Sequence, residues 1–321
     1  MKIHISQQSF PLKSPFRISR GIKTTADVVV VQLVRDGIQG WGECVPYARY
    51  GETPTSVIAQ LQSVSAPLTR DTLIETLPPG AARNALDCAM WDLEAKSAST
   101  RVWQLAGLPN PNPVQTAFTI SLDTINKMTR AAVENAHRPI LKLKLGTPDD
   151  LDRLVAVRKA APNTKLVIDA NEGWTPDDYI NLIDHLKGLN IALIEQPFPA
   201  GQDGCLAEFA RPIPICADES VHTSSDLPAL VGKYDCVNIK LDKSGGLTAA
   251  IKLKTDAQAM GFDIMVGCMV ATSLAMAPAQ LLATDATLVD LDGPLLLSKD
   301  RDTPILYDTN GMRPASAALW G

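Results

Sequence analysis

The 321-residue chain lacks several features that would have directed its reading elsewhere. It has no run of Lys or Arg, and its 30 basic against 35 acidic residues leave a net charge of −5. That is not the electrostatic footprint of a nucleic-acid binder. Its first residues, MKIHISQQSFPLKSPF, contain no apolar core of signal-peptide length, because Gln7, Gln8, Ser9 and Pro11 interrupt it. Its longest uncharged run, 264–284, includes Thr272, Ser273, Pro278 and Gln280, so a buried strand, loop and helix suits it better than a membrane span. Its six cysteines form no CxxC pair, which leaves neither a zinc site nor a disulfide framework in view and makes a reducing cytoplasm the expected location. Cys88, Cys216 and Cys236 lie in apolar segments, where free cysteine acts as a small hydrophobe.

What is present is an ordinary globular balance, 45% hydrophobic and 20% charged. In the first third, Ala26 to Val34 is rich in β-branched residues and leads through Asp36-Gly37 into 38–44, predicting a hairpin. Apolar residues recur at helical steps over 79–96. Three prolines in 108–113 then mark a linker. From residue 114 short apolar runs alternate with helix-length segments. The eight strand candidates are 114–120, 140–145, 165–170, 191–196, 213–218, 235–241, 262–267 and 287–292. This alternation predicts parallel strands, compact enough for a (β/α) barrel.

The positions of the charges are more telling than their number. The strand candidates end in Lys142 and Lys144, Asp169, Glu195, Asp218, Lys240, and Asp290 with Asp292. From Lys144 to Lys240 the steps are 25, 26, 23 and 22 residues, each about one βα unit, so these groups recur at one height around a ring. Asp169, Glu195 and Asp218 on successive strands are hard oxygen donors suited to Mg²⁺, with Mn²⁺ also admissible. Without a cation they would repel one another. Lys142 and Lys144 share a face of their strand, inward in a barrel because Leu141, Leu143 and Leu145 take the alternate positions. Lys240 falls nearly opposite, while Lys243 is expected in the following loop, exposed to solvent. Two lysines facing each other across a metal-bound carboxylate suit a 1,1-proton transfer, one removing the α-proton and the other returning it to the opposite face of an enediolate.

Together these residues resemble the enolase superfamily, muconate-lactonising subgroup: KLK (142–144), DAN (169–171), EQP (195–197), ADES (217–220) and NIKLDKSGG (238–246), with WGE (41–43) and RNALDCAMWDL (83–93) near the amino end. The resemblance implies an α/β fold, a modified TIM barrel of (β/α)₇β form spanning 113–294. An α+β capping domain would span 1–112 and be completed by 295–321. Within the subgroup, DLDGP (290–294) is similar to the dipeptide epimerases, of L-Ala-D/L-Glu type, in which an acidic pair holds the substrate's free ammonium. Asp290 and Asp292 would share a face by the two-residue rule. By that resemblance Lys144 and Lys240 are the catalysts and Asp169, Glu195 and Asp218 the metal ligands. Lys142 would pair with the substrate carboxylate and support Lys144. Thr119, Cys268 and Val270 become substrate contacts. Specificity would come from capping loops near 16–24 and 45–55, where Arg20, or else Lys23, would read a distal carboxylate.

The expected partner is therefore a small dipeptide, plausible in murein peptide metabolism, with no nucleic acid or membrane and with a homo-oligomer allowed. Other enediolate chemistry on the same site is the alternative: o-succinylbenzoate synthase, N-acylamino acid racemase or muconate cycloisomerase. A non-catalytic barrel binding a metal–carboxylate ligand is the reading from another class.

Overall fold

The computed structural model describes residues 1–64, 68–309 and 311–321. Three antiparallel strands form the first sheet: β1 (Lys2–Ile18), β2 (Gly21–Arg35) and β3 (Ile38–Cys44). The expected hairpin is present. Asp36 and Gly37 both take left-handed backbone at its turn (φ 52° and 80°), a geometry whose twist suits two antiparallel strands. The long β1, whose Ser, Gln and Pro residues mask its pattern, was not among the expected strands; it pairs with β2 along almost its whole length.

Helices α1 (Pro54–Gln62), α2 (Arg70–Thr76), α3 (Ala81–Ser97) and α4 (Val102–Leu105) complete this unit. Period two explains the run of valines in β2. Val29, Val31 and Leu33 join the core under α1–α3, while Val28 and Val30 join the core shared with the barrel. Apolar burial on both faces fixes β2 between two layers. Helix α3 packs directly against β3, because a Cβ on Gly42 would lie 2.0 Å from the Ala85 carbonyl oxygen and one on Gly40 would lie 2.3 Å from that of Ala89.

The second sheet has eight parallel strands in sequential order: β4 (Phe118–Ile120), β5 (Ile140–Lys144), β6 (Lys165–Asp169), β7 (Ile191–Glu195), β8 (Ile215–Ala217), β9 (Cys236–Ile239), β10 (Asp263–Gly267) and β11 (Leu288–Asp290). The ring closes where Ala117 N donates to the Val289 carbonyl at 2.8 Å. Helices α5 (Ile125–Asn135), α6 (Asp150–Ala160), α7 (Pro176–Gly188), α8 (Leu241–Ser244), α9 (Leu247–Ala259), α10 (Ser273–Gln280) and α11 (Gly293–Leu296) fill most crossovers. After β7 and β8 the expected helices are only 3₁₀ turns, Gly204–Ala207 and Ser224–Leu230, the second holding Pro228. The first barrel strand is shorter than 114–120 because Val114 pairs instead with Met312 of the tail. The last is shorter than 287–292, so Asp292 stands just beyond it. The apolar run 264–284 is divided between β10 and α10, and no described helix is long and apolar enough to cross a membrane.

The tail touches both units. Ser298 N donates to the Pro11 carbonyl, Trp320 Nε1 to that of Cys88, and Gly321 N to Asp92. Between sheet and barrel, Glu43 of β3 accepts from Thr272 N at 2.8 Å and from Arg301, while Asp242 accepts from Val45 N and Asn84. Arg83 of α3 donates to the carbonyls of Ser244 and Gly245. Helix α3 thus braces the segment that follows β9.

The contact of β3 with α3 can be tested by Gly42→Ala. The added methyl has only backbone to meet, so overpacking of roughly 1–3 kcal/mol or more is expected. A urea melt should show a clearly lowered midpoint; an unchanged midpoint would mean that strand and helix separate freely.

Candidate active site

The barrel interior is layered by the period of its strands. Val167, Leu193, Cys216, Cys236, Met265 and Leu288 form a separate apolar floor inside the barrel. Two residues further along each strand, on the same inward face, stand Asp169, Glu195, Asp218, Asn238, Gly267 and Asp290. Ile140, packed against the floor, is followed at the same step by Lys142 and Lys144. Lys240 lies two residues past Asn238. The outward residues Leu141, Leu143, Leu166 and Ile168 join the helix-side core. A ring of ionisable groups therefore sits directly on an apolar floor, at the carboxyl ends of the strands.

One oxygen from each of Asp169, Glu195 and Asp218 lies within 4.8 Å of the others, and all three residues are buried. Lys144 Nζ donates to Asp169 Oδ2 at 2.6 Å, and across the ring Lys240 Nζ donates to Asp218 Oδ2 at the same distance. Lys142 lies between them, 2.7 Å from Asp290 Oδ2, 2.5 Å from Glu195 Oε2 and 3.3 Å from Asp169 Oδ2. Asn238 Nδ2 donates to Glu195 Oε1 at 2.8 Å. Gly267 leaves room for that amide, since a Cβ there would lie 2.5 Å from Asn238 Oδ1.

Burial opposes ionisation throughout, and neighbours decide the outcome. Burial would raise Asp169, but Lys144 and Lys142 bring it down to about 2. The same contest holds Asp218 well below the carboxylate range, with Lys240 and Lys243 outweighing burial. Glu195 goes the other way, to about 7, through burial and then the charge of Asp169. Burial also works against charge on Lys142 and Lys240. Asp290, Glu195 and Asp169 reverse it for Lys142, and Asp218 and Glu195 for Lys240, so both stand well above the ordinary lysine value.

The donors suit a hard divalent cation. Glu195 Oε2 faces Lys142 without hydrogen-bond geometry and is a buried acceptor with no hydrogen-bond partner, as are Asn171 Oδ1, Glu219 Oε2, Asn238 Oδ1 and Asp290 Oδ1 around the same mouth. Three converging all-oxygen carboxylates with an unsatisfied atom are the donor set Mg²⁺ takes.

Above the ring is a cavity of about 490 Å³ lined by Lys142, Lys144, Asp218, Lys240, Asp290 and Asp292, with Arg20, Thr119, Cys268 and Val270 also on its wall. All the residues singled out in the sequence thus reach this mouth, except that Asp169 and Glu195 lie beneath the cavity wall. Asp292 accepts from Thr119 N at 2.6 Å, and burial with the charge of Asp290 raises it to about 7. Arg20 is already committed. It donates to Glu219 Oε1 at 2.6 Å, Glu172 Oε2 at 3.0 Å and the Asn171 carbonyl at 2.5 Å. Lys23, on the same wall 4.9 Å from the Tyr47 ring centroid, has no carboxylate within 4.0 Å among the described residues.

The expectation for Lys243 is corrected. It is 1% exposed, and its Nζ donates to the Asp218 carbonyl and Oδ1 and to the Asn238 carbonyl. The short helix α8 turns it back beneath the mouth, a return that strand patterning does not reveal. Glu172 and Glu219 were also missed. Glu172 directly follows DAN and Glu219 lies within ADES, and nothing in their spacing marks them as partners of arginines from the first sheet.

Residues 1–107 match the model of the mandelate racemase/muconate lactonizing enzyme N-terminal domain, and 124–314 match the enolase C-terminal domain-like model. The chain belongs to this family. An L-Ala-D/L-Glu epimerase of Escherichia coli K12 is 45% identical over 96% of the chain and 98% of its own length. An N-acetyl-D-glutamate racemase of a Pseudoalteromonas species is 48% identical over 92% and 95%. Among solved family members, an enolase family protein of Agrobacterium tumefaciens with bound sodium and L-Ala-L-Glu superposes with a TM-score of 0.97 at 49% identity, covering 99% of both chains. A dipeptide epimerase of Cytophaga hutchinsonii complexed with Mg and D-Ala-L-Val gives 0.90 at 28% identity, covering 98% of this chain and 94% of its own.

If the triad holds the cation, Mg²⁺ should raise the melting temperature of the wild type, and Glu195→Gln should lose most of that increment. Thermal melts across a Mg²⁺ titration check this. An equal increment in both proteins would place the ion elsewhere.

Proposed function

We propose that this family member is a Mg²⁺-dependent isomerase that epimerises dipeptides of the L-Ala-D/L-Glu type at the Cα of the carboxyl-terminal residue. The observation that carries the reading is the facing pair of lysines, Lys144 and Lys240, each 2.6 Å from a different carboxylate of one buried triad. Asp169, Glu195 and Asp218 would hold the cation. When bound, it stabilises the negative charge that develops on the substrate carboxylate as the α-proton leaves.

The chain's own residues do the rest. Lys144 Nζ stands on one side of the ring and takes the proton from one face of Cα; Lys240 Nζ stands on the other and returns one to the opposite face. In the reverse direction they exchange roles, so both are needed in both directions. Lys142 orients the substrate carboxylate while its own position is held by Asp290, Glu195 and Asp169. Asp290 and Asp292 receive the dipeptide's ammonium, a role supported by the unpartnered Asp290 Oδ1. Thr119 holds Asp292 in place through its backbone N–H. Cys268 and Val270 shape the wall. A capping unit of 1–112 with 295–321 over a barrel of 113–294 is the matching domain division. A cytoplasmic enzyme accords with cysteines that are all free, and a place in murein peptide metabolism would follow from a substrate of the L-Ala-D/L-Glu type.

The relative that racemises N-acetyl-D-glutamate raises a second reading, an acylated amino acid as substrate. An acidic pair has no cation to meet in an acylated amine, which favours the dipeptide. Incubating the enzyme and Mg²⁺ with L-Ala-L-Glu in D₂O should give α-deuterium and the D-Glu epimer, faster than with N-acetylglutamate. Lys144→Ala and Lys240→Ala should each abolish epimerisation, with exchange surviving only for the epimer that faces the remaining lysine. Wild-type turnover in either variant would refute the two-base assignment.

Because the Arg20 fork is occupied by the chain's own groups, Lys23 is the cation free to meet a distal carboxylate. Burial lowers its pKa from the usual lysine value, against the opposing charges of Asp27 and Asp242. Lys23→Gln should raise KM for L-Ala-L-Glu by about tenfold, the cost of one charge-assisted bond, and leave L-Ala-L-Leu unaffected. Equal effects on both substrates would remove Lys23 from side-chain recognition.

A further inference from the structure

Two loops of the first sheet reach over the cavity, and a single barrel carboxylate holds both. Glu172 comes three residues after Asp169, beyond the end of β6. Its Oε1 accepts from Arg49 Nη2 and from Ala200 N, both at 2.8 Å. Its Oε2 accepts from Arg49 Nε at 2.8 Å and Arg20 Nη1 at 3.0 Å. Arg20 stands in the turn between β1 and β2, and Arg49 on the 3₁₀ turn Ala48–Tyr50. Both line the cavity, with Tyr47 on the second loop and Lys23 at the start of β2.

The backbone here is strained. Asn171 and Glu172 have φ of 47° and 64°, left-handed for non-glycine residues, which costs of the order of 1 kcal/mol or more each. Their surroundings hold them there: Glu172 N donates to the Gln196 carbonyl and Gly173 N to that of Ala170, each at 2.9 Å. The strain presents one carboxylate, 6% exposed, to two arginines that are more than 120 residues away in sequence. Burial would raise its pKa, but the Arg49 bonds and the other donors outweigh that and bring it below the usual glutamate value.

We infer that Glu172 is the latch that keeps both loops closed over the bound substrate, a positioning residue for the epimerisation. This rests on the cavity being the dipeptide site. An isolated exposed ion pair contributes little, because salt and side-chain entropy offset it. Here four hydrogen bonds converge on one shielded carboxylate, two of them from a bidentate guanidinium. The latch touches no reacting atom. It sets the fraction of free enzyme that is already closed, and apparent affinity scales with that fraction. Bound substrate closes the loops by its own contacts, so the chemical step is unaffected once the site is saturated.

Glu172→Gln preserves the side-chain volume and removes the charge. It should raise KM for the dipeptide about tenfold with kcat within about twofold of wild type. In the substrate-free enzyme, amide hydrogen exchange over 16–24 and 46–53 should become several-fold faster, and saturating dipeptide should restore the wild-type rate. Arg49→Gln, at a side chain 39% exposed, should move both readouts the same way and guards against a folding defect in the first variant. A purely structural Glu172 would instead lower thermal stability and leave the exchange difference in place with ligand bound, and that outcome overturns the latch. So does unchanged exchange in both loops, or a fall in kcat at constant KM. If the wild type turned over no dipeptide, the functional reading would fall, while the exchange comparison in free enzyme would still decide the latch.

Discussion

Three carboxylates buried side by side on neighbouring strands cannot remain ionised without positive charge between them. The rest of the site is arranged around that constraint. Lys144 and Lys240 each engage an outer member, Asp169 or Asp218, while Lys142 stands nearest the central Glu195. Lys243 adds a further positive charge from beneath, bonded to both the carbonyl and the side chain of Asp218. The result is uneven. The outer two carboxylates are held low by the lysines they touch, while the central one rises to about 7 through its burial first and the charge of Asp169 second. A divalent cation among the three would favour the ionised form of Glu195 as well, so the residues that make the ring costly are also those that could hold a metal.

The first sheet contributes to this site largely at a distance. Helix α3 sends Arg83 and Asn84 to the segment after β9, fixing the Ser244 and Gly245 carbonyls and the Asp242 carboxylate. That segment carries Lys240 at one end and turns Lys243 back under the mouth. Glu43, at the far end of β3, is bonded to Thr272 and Arg301 on the other side. Buried polar groups at such an interface must be satisfied, so the two units have one well-determined way to sit together. Beyond these points the first sheet meets the barrel at the β1–β2 turn and the 46–53 loop, through Arg20 and Arg49 on Glu172.

How much of this was legible in the sequence follows from which contacts are periodic. The floor and the charged ring differ by one two-residue step along each strand; the Lys142–Lys144 pair could be read from alternation, and Asp169, Glu195 and Asp218 from their recurrence at the ends of apolar strands, 26 and 23 residues apart. So could the hairpin at Asp36-Gly37 and the helical run of α3. Groups whose position depends on a chain reversal could not. Lys243 looks like a loop lysine until α8 folds it inward. Ser and Gln in β1 look like loop until they pair with β2. The segments after β7 and β8 are long enough for a helix but form only 3₁₀ turns, the second of them holding Pro228.

Arg20 illustrates the same limit from the other side. Its residue type suits a substrate carboxylate, and it does reach the cavity, but which anion it meets is decided by Glu219 and Glu172, and both are placed by the barrel. Glu219 follows the metal-ligand candidate Asp218, and Glu172 lies three residues past Asp169. Strand ends that bring carboxylates to the cation thus bring further carboxylates, one to three residues later, to the edge of the mouth. There Glu219 feels both Lys240 and Arg20, and Glu172 is bonded by Arg20 and Arg49 of the first sheet. One topological feature, the carboxyl ends of parallel strands, therefore supplies both the inner charge that chemistry needs and the outer charge that fastens the cover above it.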